Sequence, residues 1–409
     1  MSHNPFTSKI YQDNWLKHFV GGKTSKSFSF IKGLSFYKHA YLPYYINVGK
    51  NSTNGITYQI DAGFEDYKGK TFLIYDVPEY CMPDNSINLK KLKNYKVRQY
   101  KGFLADLKGY DNLESYMLDA FSSKSRNKHR SSIKKLEACF DVSYHIYDKT
   151  ISKKDYNQVI QGFRDLVLKR YDSLQLDTNL VGEWSFYEEV IYPMLKNGQA
   201  LMINVCVEGK PEAMSLVFVE GSKITGAIKA FNPDFYKFNI GHIELSKLIE
   251  WCFENGINTL DFSKGEYEYK TKWTNYEYLY HCHVVYDSSS FASSITAFFL
   301  AKYFQLKQYL RDKRFNYFVV KMKYKFKNLR GSSGVPIFKI SSLSKALDFD
   351  SFQVVDLEND SQINLKRIVY DMLYRKQESI KNIVIYKQVS NSKIYYIIGR
   401  KSQLKVEII

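Results

Sequence analysis

Residues 223–241 read KITGAIKAFNPDFYKFNIG, and residues 242–262 continue as HIELSKLIEWCFENGINTLDF. An alternating strand over residues 223–231 is followed by a helical pattern over residues 241–255, and a short apolar strand over residues 259–262 comes next. A helix that begins just after a strand offers unpaired N–H groups and a positive dipole end, where a diphosphate can bind. Gly241 lets a ligand approach the backbone, and Lys237 adds positive charge. The pattern predicts an anion site here, with a plain structural cap as the alternative.

The residues before this stretch predict an antiparallel meander. Strands over residues 200–207, 212–219 and 223–231 are joined by tight turns at Gly209 and Gly221, where a hairpin needs glycine. Two helical patterns, over residues 153–172 and 183–196, precede the first of these strands. A short helix over residues 266–273 and a strand over residues 278–286 close the unit.

Composition places the chain among globular proteins. Its 409 residues are too many for one ordinary core, so two or three units are expected. Apolar residues make up 44% and aromatic residues 16%, which excludes a largely disordered chain. The formal net charge of +17 favours anionic partners such as nucleic acid, acidic head groups, glycans or phosphorylated cofactors, but it selects none of them.

Cysteine use and hydropathy predict a cytoplasmic protein. The five cysteines are an odd number without a CxxC pair, which is typical of a reducing compartment. The N-terminus lacks a signal-peptide pattern, and no run of roughly 18 uncharged apolar residues is found. We expect a protein that is neither exported by an ordinary signal nor integral to a membrane.

The outer regions are less regular. The first unit is predicted to contain a helix over residues 12–19, strands over residues 33–48, 56–62 and 71–75, a basic helix over residues 113–136 with its N-cap at Asp111 or Asn112, and a strand over residues 139–147. Residues 295–329 predict a long helical segment, and residues 291–330 hold ten basic residues against one acid. A glycine and serine hinge at residues 331–334 leads into a tail with strands over residues 352–356, 382–387 and 393–399 and a helix over residues 365–378.

The motifs FNPDFYKFNIG (residues 231–241) and LDFSKGEYEYKTKW (residues 260–273) resemble the FemAB-like and CelD-like acetyltransferase branch of the GNAT superfamily. The family pattern is a Pro-Gly-like helix start followed by Asp-Phe-x-x-Gly and then Tyr-Lys or Phe-Lys. The chain departs from it at Ile240, where many relatives have Pro, and at His242, where an aliphatic residue is usual. The resemblance covers roughly residues 4–290.

The resemblance implies an α/β fold of two tandem GNAT-like domains with mixed central sheets, followed by a basic helical segment and a small C-terminal α/β appendage. We expect an N-terminal GNAT-like domain at residues 1–150 on the acceptor side and an acyltransferase domain at residues 151–290. The basic aromatic segment is residues 291–330, and a tail without a recognisable motif is residues 335–409.

The family also implies the donor and its residues. In GNAT enzymes the strand before the helix binds the pantetheine arm of CoA through backbone hydrogen bonds, and the following turn holds the diphosphate. Acetyl-CoA or another acyl-CoA is therefore the expected co-substrate, and no metal is expected. The implied donor-binding residues are Phe231, Lys237, Phe238, Asn239, Ile240, Gly241 and His242.

Acyl transfer from a thioester needs a placed nucleophile, oxyanion stabilisation and a proton for the leaving thiolate. Lys270 can supply positive charge to the tetrahedral intermediate, and the matching lysine of FemAB-like enzymes is tied to the transferase site. Tyr269 is a candidate acid, with packing as the alternative. Asp261 is the third candidate, and orienting a neighbour or capping a turn suits it better than acting as a base.

Arg126 and Arg130 lie four residues apart on one predicted helix face. They can hold a phosphate or carboxylate of the acceptor, and a solvated basic face is the alternative.

The leading hypothesis is a bacterial N- or O-acyltransferase that acts on an amine or hydroxyl of a cell-envelope, polysaccharide or lipid precursor, in the cytoplasm or at the inner face of the membrane. One alternative is aminoacyl transfer from charged tRNA to a peptidoglycan precursor, although the long helical arm of many tRNA-using relatives is not evident. Another is a non-catalytic GNAT fold that binds a membrane surface or nucleic acid through residues 295–330. For this segment the structural alternative is a helix that packs its aromatic face on the catalytic unit and leaves solvated lysines outside.

Overall fold

The computed structural model describes residues 4–50, 52–81, 91–174, 179–313, 338–343, 352–357 and 365–409. The first half begins with a helix that Ser8 caps by accepting a hydrogen bond from Tyr11 N. The described elements of this half are α1 (Lys9–Phe19), β1 (Lys26–Phe28), β2 (Ile31–Lys38), β3 (Tyr45–Asn47), β4 (Gln59–Ile60), β5 (Thr71–Pro78) and β6 (Leu92–Asp106).

The second half follows the predicted order of helices, meander, helix and strand. Its described elements are α2 (Leu113–Ala120), α3 (Ser123–Cys139), β7 (Val142–Tyr147), α4 (Lys153–Leu174), α5 (Asn179–Gly182), α6 (Trp184–Lys196), β8 (Ala200–Val207), β9 (Lys210–Glu220), β10 (Lys223–Phe231), α7 (Ile240–Glu254), β11 (Thr259–Lys264), α8 (Glu268–Trp273) and β12 (Tyr276–Asp287).

Two predictions for residues 113–147 need correction. The single basic helix is two helices, because Phe121 and Ser122 are extended and Ser122 caps α3 by accepting from Ser125 N. Cys139 ends α3, so it does not begin the next strand. Asn112 does cap α2, accepting from Ser115 N at 2.9 Å, as the sequence predicted.

Strands β1 to β12 form one mixed sheet in the order β1-β2-β3-β5-β12-β6-β11-β10-β9-β8-β7, with β4 beside β2. Each half contains one parallel pair, β3 with β5 and β10 with β11. The halves also exchange strands. Strand β12 of the second half pairs with β5 of the first, and β6 of the first half pairs with β11 of the second. The predicted α/β fold with tandem halves is confirmed, and the two halves share one continuous sheet.

Strand β7 lies at the edge of the sheet, next to β8. Strand β7 pairs antiparallel with β8 over its whole length. Residues 142–147 therefore extend the sheet of the second half, although the expected boundary was near residue 150.

Helix α9 (Phe291–Asp312) packs on β12, β6 and β5. The remainder of the predicted helical segment, residues 314–329, and the predicted hinge at residues 331–334 lie outside the described residues. Within the part of the chain that the structure describes, no helix has the length and apolar character needed to cross a bilayer.

A small appendage forms a second sheet in the order β13-β17-β16-β15-β14, with a helix packed beside it. Its elements are β13 (Phe338–Ser342), β14 (Phe352–Val354), α10 (Leu365–Lys376), β15 (Val384–Gln388), β16 (Ile394–Ile398) and β17 (Gln403–Ile408). Apolar residues of α10 join a buried cluster with Leu136 of α3 and with Phe235 and Phe238 of the 3₁₀ helix Pro233–Phe238, so the appendage docks on the second half.

Candidate functional site

Strands β10 and β11 part at the centre of the sheet. They pair in parallel only over the first three residues of β10, Lys223 to Thr225, whereas β10 pairs with β9 along its whole length. A bulge in the β9 and β10 register lies between Gly226 and Ile228, where the parting begins. From there, alternate backbone groups of β10 face a gap, which we call the β10–β11 cleft. Asn54 of the first half closes its inner end, donating from Nδ2 to the Gly226 carbonyl at 3.1 Å.

The start of α7 lies at the outer end of this cleft. Asn239 adopts a left-handed conformation with φ 55°, and its side chain donates to Ser132 Oγ at 3.0 Å. The asparagine side chain therefore does not cap the first turn of α7. The Phe231 ring lies against Gly241, where an added Cβ would come within 2.8 Å of the ring. Glycine is needed at this position because strand end and helix start are in direct contact.

An ion pair joins β10, one wall of the cleft, to helix α7. Lys229 projects from β10 and pairs with Glu244 of α7, and the Glu244 side chain is fully buried. Removing one partner of a buried pair leaves an uncompensated charge, so the pair fixes α7 against β10.

Three of the predicted donor residues are engaged elsewhere. Lys237 forms an ion pair with Asp371 of α10. Phe238 is fully buried, with its ring 5.2 Å from the Tyr374 ring of the same helix. His242 Nδ1 accepts from Trp273 Nε1 at 2.7 Å. Burial lowers the pKa of His242 to about 4, so the ring is neutral near pH 7.

The remaining donor candidates stay at the cleft. Phe231, Asn239, Ile240 and Gly241 form the contact between the end of β10 and the start of α7, and the Ile240 side chain is fully buried. The structure thus brings the predicted turn to the cleft and directs Lys237 and Phe238 toward the appendage.

A buried polar network lies beside the inner end of the cleft. The Asp261 carboxylate accepts from the Tyr80 hydroxyl at 2.6 Å and from the Tyr278 hydroxyl at 2.7 Å. The Tyr278 and Tyr280 hydroxyls are 2.8 Å apart, and Tyr280 donates to the Asn54 carbonyl at 2.7 Å. We call these four side chains, with the Asn54 carbonyl, the Tyr–Asp network. It connects Asp261 with the residue that bonds to Gly226.

Burial has the largest effect on the pKa of Asp261 and raises it. The hydrogen bonds that Asp261 accepts from Tyr80 and Tyr278 partly offset this effect.

A second carboxylate lies next to the network. Asp76 accepts from Lys264 Nζ at 2.6 Å and from Thr53 Oγ1 at 2.9 Å. Asp76 and Ser263 adopt left-handed backbone conformations, with φ values of 61° and 62°, which are unfavourable for residues that have a Cβ atom. Strained backbone of this kind is held by its surroundings and is frequent at functional sites.

The other two predicted catalytic residues, Lys270 and Tyr269, lie in different surroundings. Lys270 is buried, and its Nζ donates to the Lys264 carbonyl at 2.8 Å and to the Ser263 carbonyl at 3.3 Å. Burial lowers the pKa of Lys270 to about 8, partly offset by Asp261. Tyr269 packs on the apolar cluster that includes Phe262. Lys270 therefore lies at the turn after Asp261, whereas Tyr269 fits the packing alternative.

The predicted acceptor residues line a different cavity. Arg126 and Arg130 of α3 face a cleft of about 550 Å³ that α2 and α7 complete with Glu114, Ser246 and Lys247. Arg130 pairs with Glu114, and Arg126 donates to the Phe121 carbonyl. Both guanidinium groups thus have protein partners.

Sequence reasoning missed Tyr80, Tyr278, Tyr280 and Asn54. The usable signal is the alternation of Tyr276, Tyr278 and Tyr280, which places three tyrosines on one face of a strand. Tyr80 and Asn54 carry no such signal, because they reach Asp261 and Gly226 from the other half of the chain.

Comparison with known proteins agrees with this geometry. Residues 123–271 match the family model of an acetyltransferase (GNAT) domain. The chain contains a GNAT domain. The match begins at α3 and ends at Thr271, so it includes both walls of the β10–β11 cleft, Asp261 and Lys270. No curated protein sequence matches the chain.

Several solved structures are similar to the chain at low sequence identity. The structure of FemX is 13% identical, with a TM-score of 0.50 over 70% of this chain and 95% of that one. A conserved protein of unknown function from Bacteroides thetaiotaomicron is 12% identical, with a TM-score of 0.45 over 70% of this chain and 92% of that one. A tandem GNAT protein from the clavulanic acid biosynthesis pathway is 9% identical, with a TM-score of 0.34 over 62% and 78%. The FemX likeness concerns the fold alone.

Proposed function

We propose that this protein is an N- or O-acyltransferase that moves an acetyl or longer acyl group from CoA to an amine or hydroxyl of a bacterial cell-envelope, polysaccharide or lipid precursor. The observation that carries the proposal is the parting of β10 and β11 after Thr225, beside the start of α7. A GNAT domain over this same stretch supports it.

The cleft suits an extended donor that carries amide groups. Alternate backbone N–H and C=O groups of β10 beyond Gly226 face the gap and can pair with the amides of a pantetheine arm, as one strand pairs with another. The Asn239 side chain does not cap the first turn of α7, and the Asn239 carbonyl accepts from His242 N and Ile243 N. The N–H groups of Ile240 and Gly241 are therefore the ones proposed to bind a diphosphate at the outer end. The thioester then lies near Gly226, at the inner end.

The Tyr–Asp network is proposed to move the proton. The nucleophile attacks the thioester carbonyl, a bond forms from carbon to nitrogen or oxygen, and the carbon–sulfur bond breaks. The proton lost by the nucleophile must reach the thiolate that leaves. In this proposal the Asp261 carboxylate accepts the proton that the nucleophile loses, and the Tyr280 hydroxyl gives its own proton to the leaving thiolate. Tyr278 then passes the proton from Asp261 to Tyr280, so that all three groups return to their starting state.

Lys270 is proposed to stabilise the oxyanion through its charge. Its ammonium group is held at the turn after β11 by two carbonyl oxygens. In a buried site a fixed charge acts more strongly on a developing anion than it does in water. Tyr269 is not needed for this step.

The acceptor is proposed to be anionic. Arg126 and Arg130 line the cleft of α2, α3 and α7, and a phosphate or carboxylate of the acceptor would displace Glu114 from Arg130.

A second candidate is aminoacyl transfer from charged tRNA to a peptidoglycan precursor. The docked appendage favours it, because Asp371 already neutralises Lys237 at the turn proposed for the diphosphate. A donor without a diphosphate at that turn would not compete with α10. The net charge of +17 suits a nucleic acid.

Isothermal titration of the full chain with acetyl-CoA, a longer acyl-CoA and charged tRNA separates the two candidates. Binding of either thioester in preference to tRNA supports the CoA proposal. Binding of tRNA alone, weakening steeply with salt, would move the assignment to the second candidate. Binding of none of the three would favour a GNAT fold retained without catalysis.

A further inference from the structure

Helix α9 packs on the sheet through its smaller face. The buried residues Ser293, Ala297 and Ala301 recur at four-residue spacing, and Phe304 and Gln308 continue the same face. Small residues allow the helix to lie close to the strands. Two contacts fix its end, because Arg98 of β6 pairs with Asp312, and the Arg311 guanidinium lies 3.9 Å from the Tyr100 ring centroid.

The opposite face of α9 is apolar and exposed. A helix on a protein surface normally turns polar residues outward. Here Phe299 is 66% exposed and Leu306 is 57% exposed. The other exposed large apolar residues of this helix are Phe291, Ile295, Phe298, Tyr303, Tyr309 and Leu310. An apolar stripe along six turns marks an interaction surface.

The same face is positively charged. Lys302 and Lys313 lie among its aromatic residues, with Nζ atoms 5.6 Å and 5.7 Å from the ring centroids of Phe298 and Tyr309. Lys307 lies near Lys50 of the first half. Burial of Lys50 lowers its pKa, and the positive charge of Lys307 lowers it further. Asp312, the one acid of the helix, is neutralised by Arg98.

We propose that the exposed face of α9 docks on an anionic phospholipid bilayer, with its aromatic residues in the head-group region. Phenylalanine, tyrosine and leucine beside lysine are the composition of helices that lie in a membrane interface. The centre of a protein interface is depleted of lysine, which argues against a second copy or another protein at this position. The inference is independent of the acyl transfer proposed above, and it would place the enzyme where a lipid-linked acceptor is found.

Co-sedimentation of the full chain with vesicles tests this docking. One set of vesicles contains phosphatidylglycerol in phosphatidylcholine, and the other contains phosphatidylcholine alone. We expect preferential binding to the anionic vesicles and binding at least about tenfold weaker for the double variant Phe299→Gln, Leu306→Gln. Both side chains are exposed, so the melting temperature should stay close to that of the unchanged protein.

The matched control is Ile340→Gln, Val389→Gln, which removes two exposed apolar side chains from the appendage. It should bind vesicles like the unchanged protein. Equal binding by the α9 variant, or no binding of the unchanged protein to anionic vesicles, would overturn the proposal. The proposal would also be overturned if the unchanged protein forms a dimer and does not bind vesicles, and if the α9 variant is a monomer. The exposed face of α9 would then be assigned to contact with a second copy of the chain.

Discussion

The Tyr278 hydroxyl donates to the Asp261 carboxylate at 2.7 Å, and the Tyr278 ring lies directly over the backbone of Gly102. Asp261 and Tyr278 belong to the second half of the chain, whereas Gly102 lies on β6, the strand that the first half adds to the sheet of the second. The position of the hydroxyl therefore depends on how the halves interlock.

Removing the Tyr278 hydroxyl should interrupt the proposed proton path. The Tyr278→Phe variant keeps the ring over Gly102 but loses the bonds to Asp261 and Tyr280. We expect the acyl transfer rate, kcat, to fall about a hundredfold with little change in KM for the donor, because the step affected is proton transfer. Steady-state kinetics check this. The control is Tyr276→Phe on the same strand, whose side chain is exposed; equal rates for both variants would remove Tyr278 from the path.

Adding one methyl group at Gly102 should displace the same ring. A Cβ there would lie 2.2 Å from the Tyr278 ring. We expect Gly102→Ala to lower the free energy of unfolding by about 1–3 kcal/mol, the usual cost of overpacking. Denaturant unfolding measures it. Gly182→Ala, with open space around its Cβ, is the control, and a Gly102→Ala protein as stable as this control would contradict the packing.

The activity should fall as pH rises through about 8. Lys270 has a pKa lowered to about 8 by burial, so its charge is present below that pH and lost above it. If this charge stabilises the oxyanion, kcat should fall as the pH rises above about 8. The Lys270→Met variant should have a low kcat at every pH and should not show this alkaline decrease. Lys270→Arg, which stays charged, should keep its activity to higher pH. An unchanged alkaline limb in Lys270→Met would assign the titration to another group.

Lys270 should also couple stability to pH. The unfolded lysine titrates near about 10.4, so between about pH 8 and 10 the unfolded chain binds more protons than the folded one. The free energy of unfolding should therefore rise with pH in this window relative to Lys270→Met. Denaturant titrations at several pH values measure the free energy of unfolding of both proteins. If this free energy changes with pH in the same way in both, the pKa of Lys270 is not lowered in the folded chain.

The appendage should weaken donor binding at the turn. Asp371→Asn keeps the shape of α10 but frees Lys237 from its ion pair. We expect acyl-CoA to bind several-fold more tightly, because the ammonium group becomes available to the diphosphate. Calorimetry measures this, with Asp13→Asn, at an exposed pair with Lys9, as the control. Weaker binding in Asp371→Asn would indicate that the docked appendage helps to form the donor site.

The sequence predicted the second half well because its signals are local. Turn glycines mark the meander, and the change of period at Gly241 marks the helix after β10. The 15-residue strand β6 was missed, since its lysines do not alternate cleanly and its partner β12 lies far along the chain.

The site was only half predictable for the same reason. Asp261 and Lys270 come from one motif, but Tyr80 reaches Asp261 across 181 residues. Lys237 could be recognised as a cation next to a helix start, but its pairing with Asp371 depends on an appendage 134 residues later.

The most direct test of the central claim places a side chain in the β10–β11 cleft. A Cβ at Gly226 would lie 3.5 Å from the Asp261 carbonyl oxygen, which is ordinary contact, so Gly226→Ala should fold and bind acetyl-CoA like the unchanged protein. The larger side chain of Gly226→Leu would fill the inner end of the gap. We predict that calorimetry will show acetyl-CoA binding retained in the first variant and lost in the second, while both variants keep a cooperative melting transition above the temperature of the titration. Equal binding by both variants would contradict the account, because the donor would then lie elsewhere.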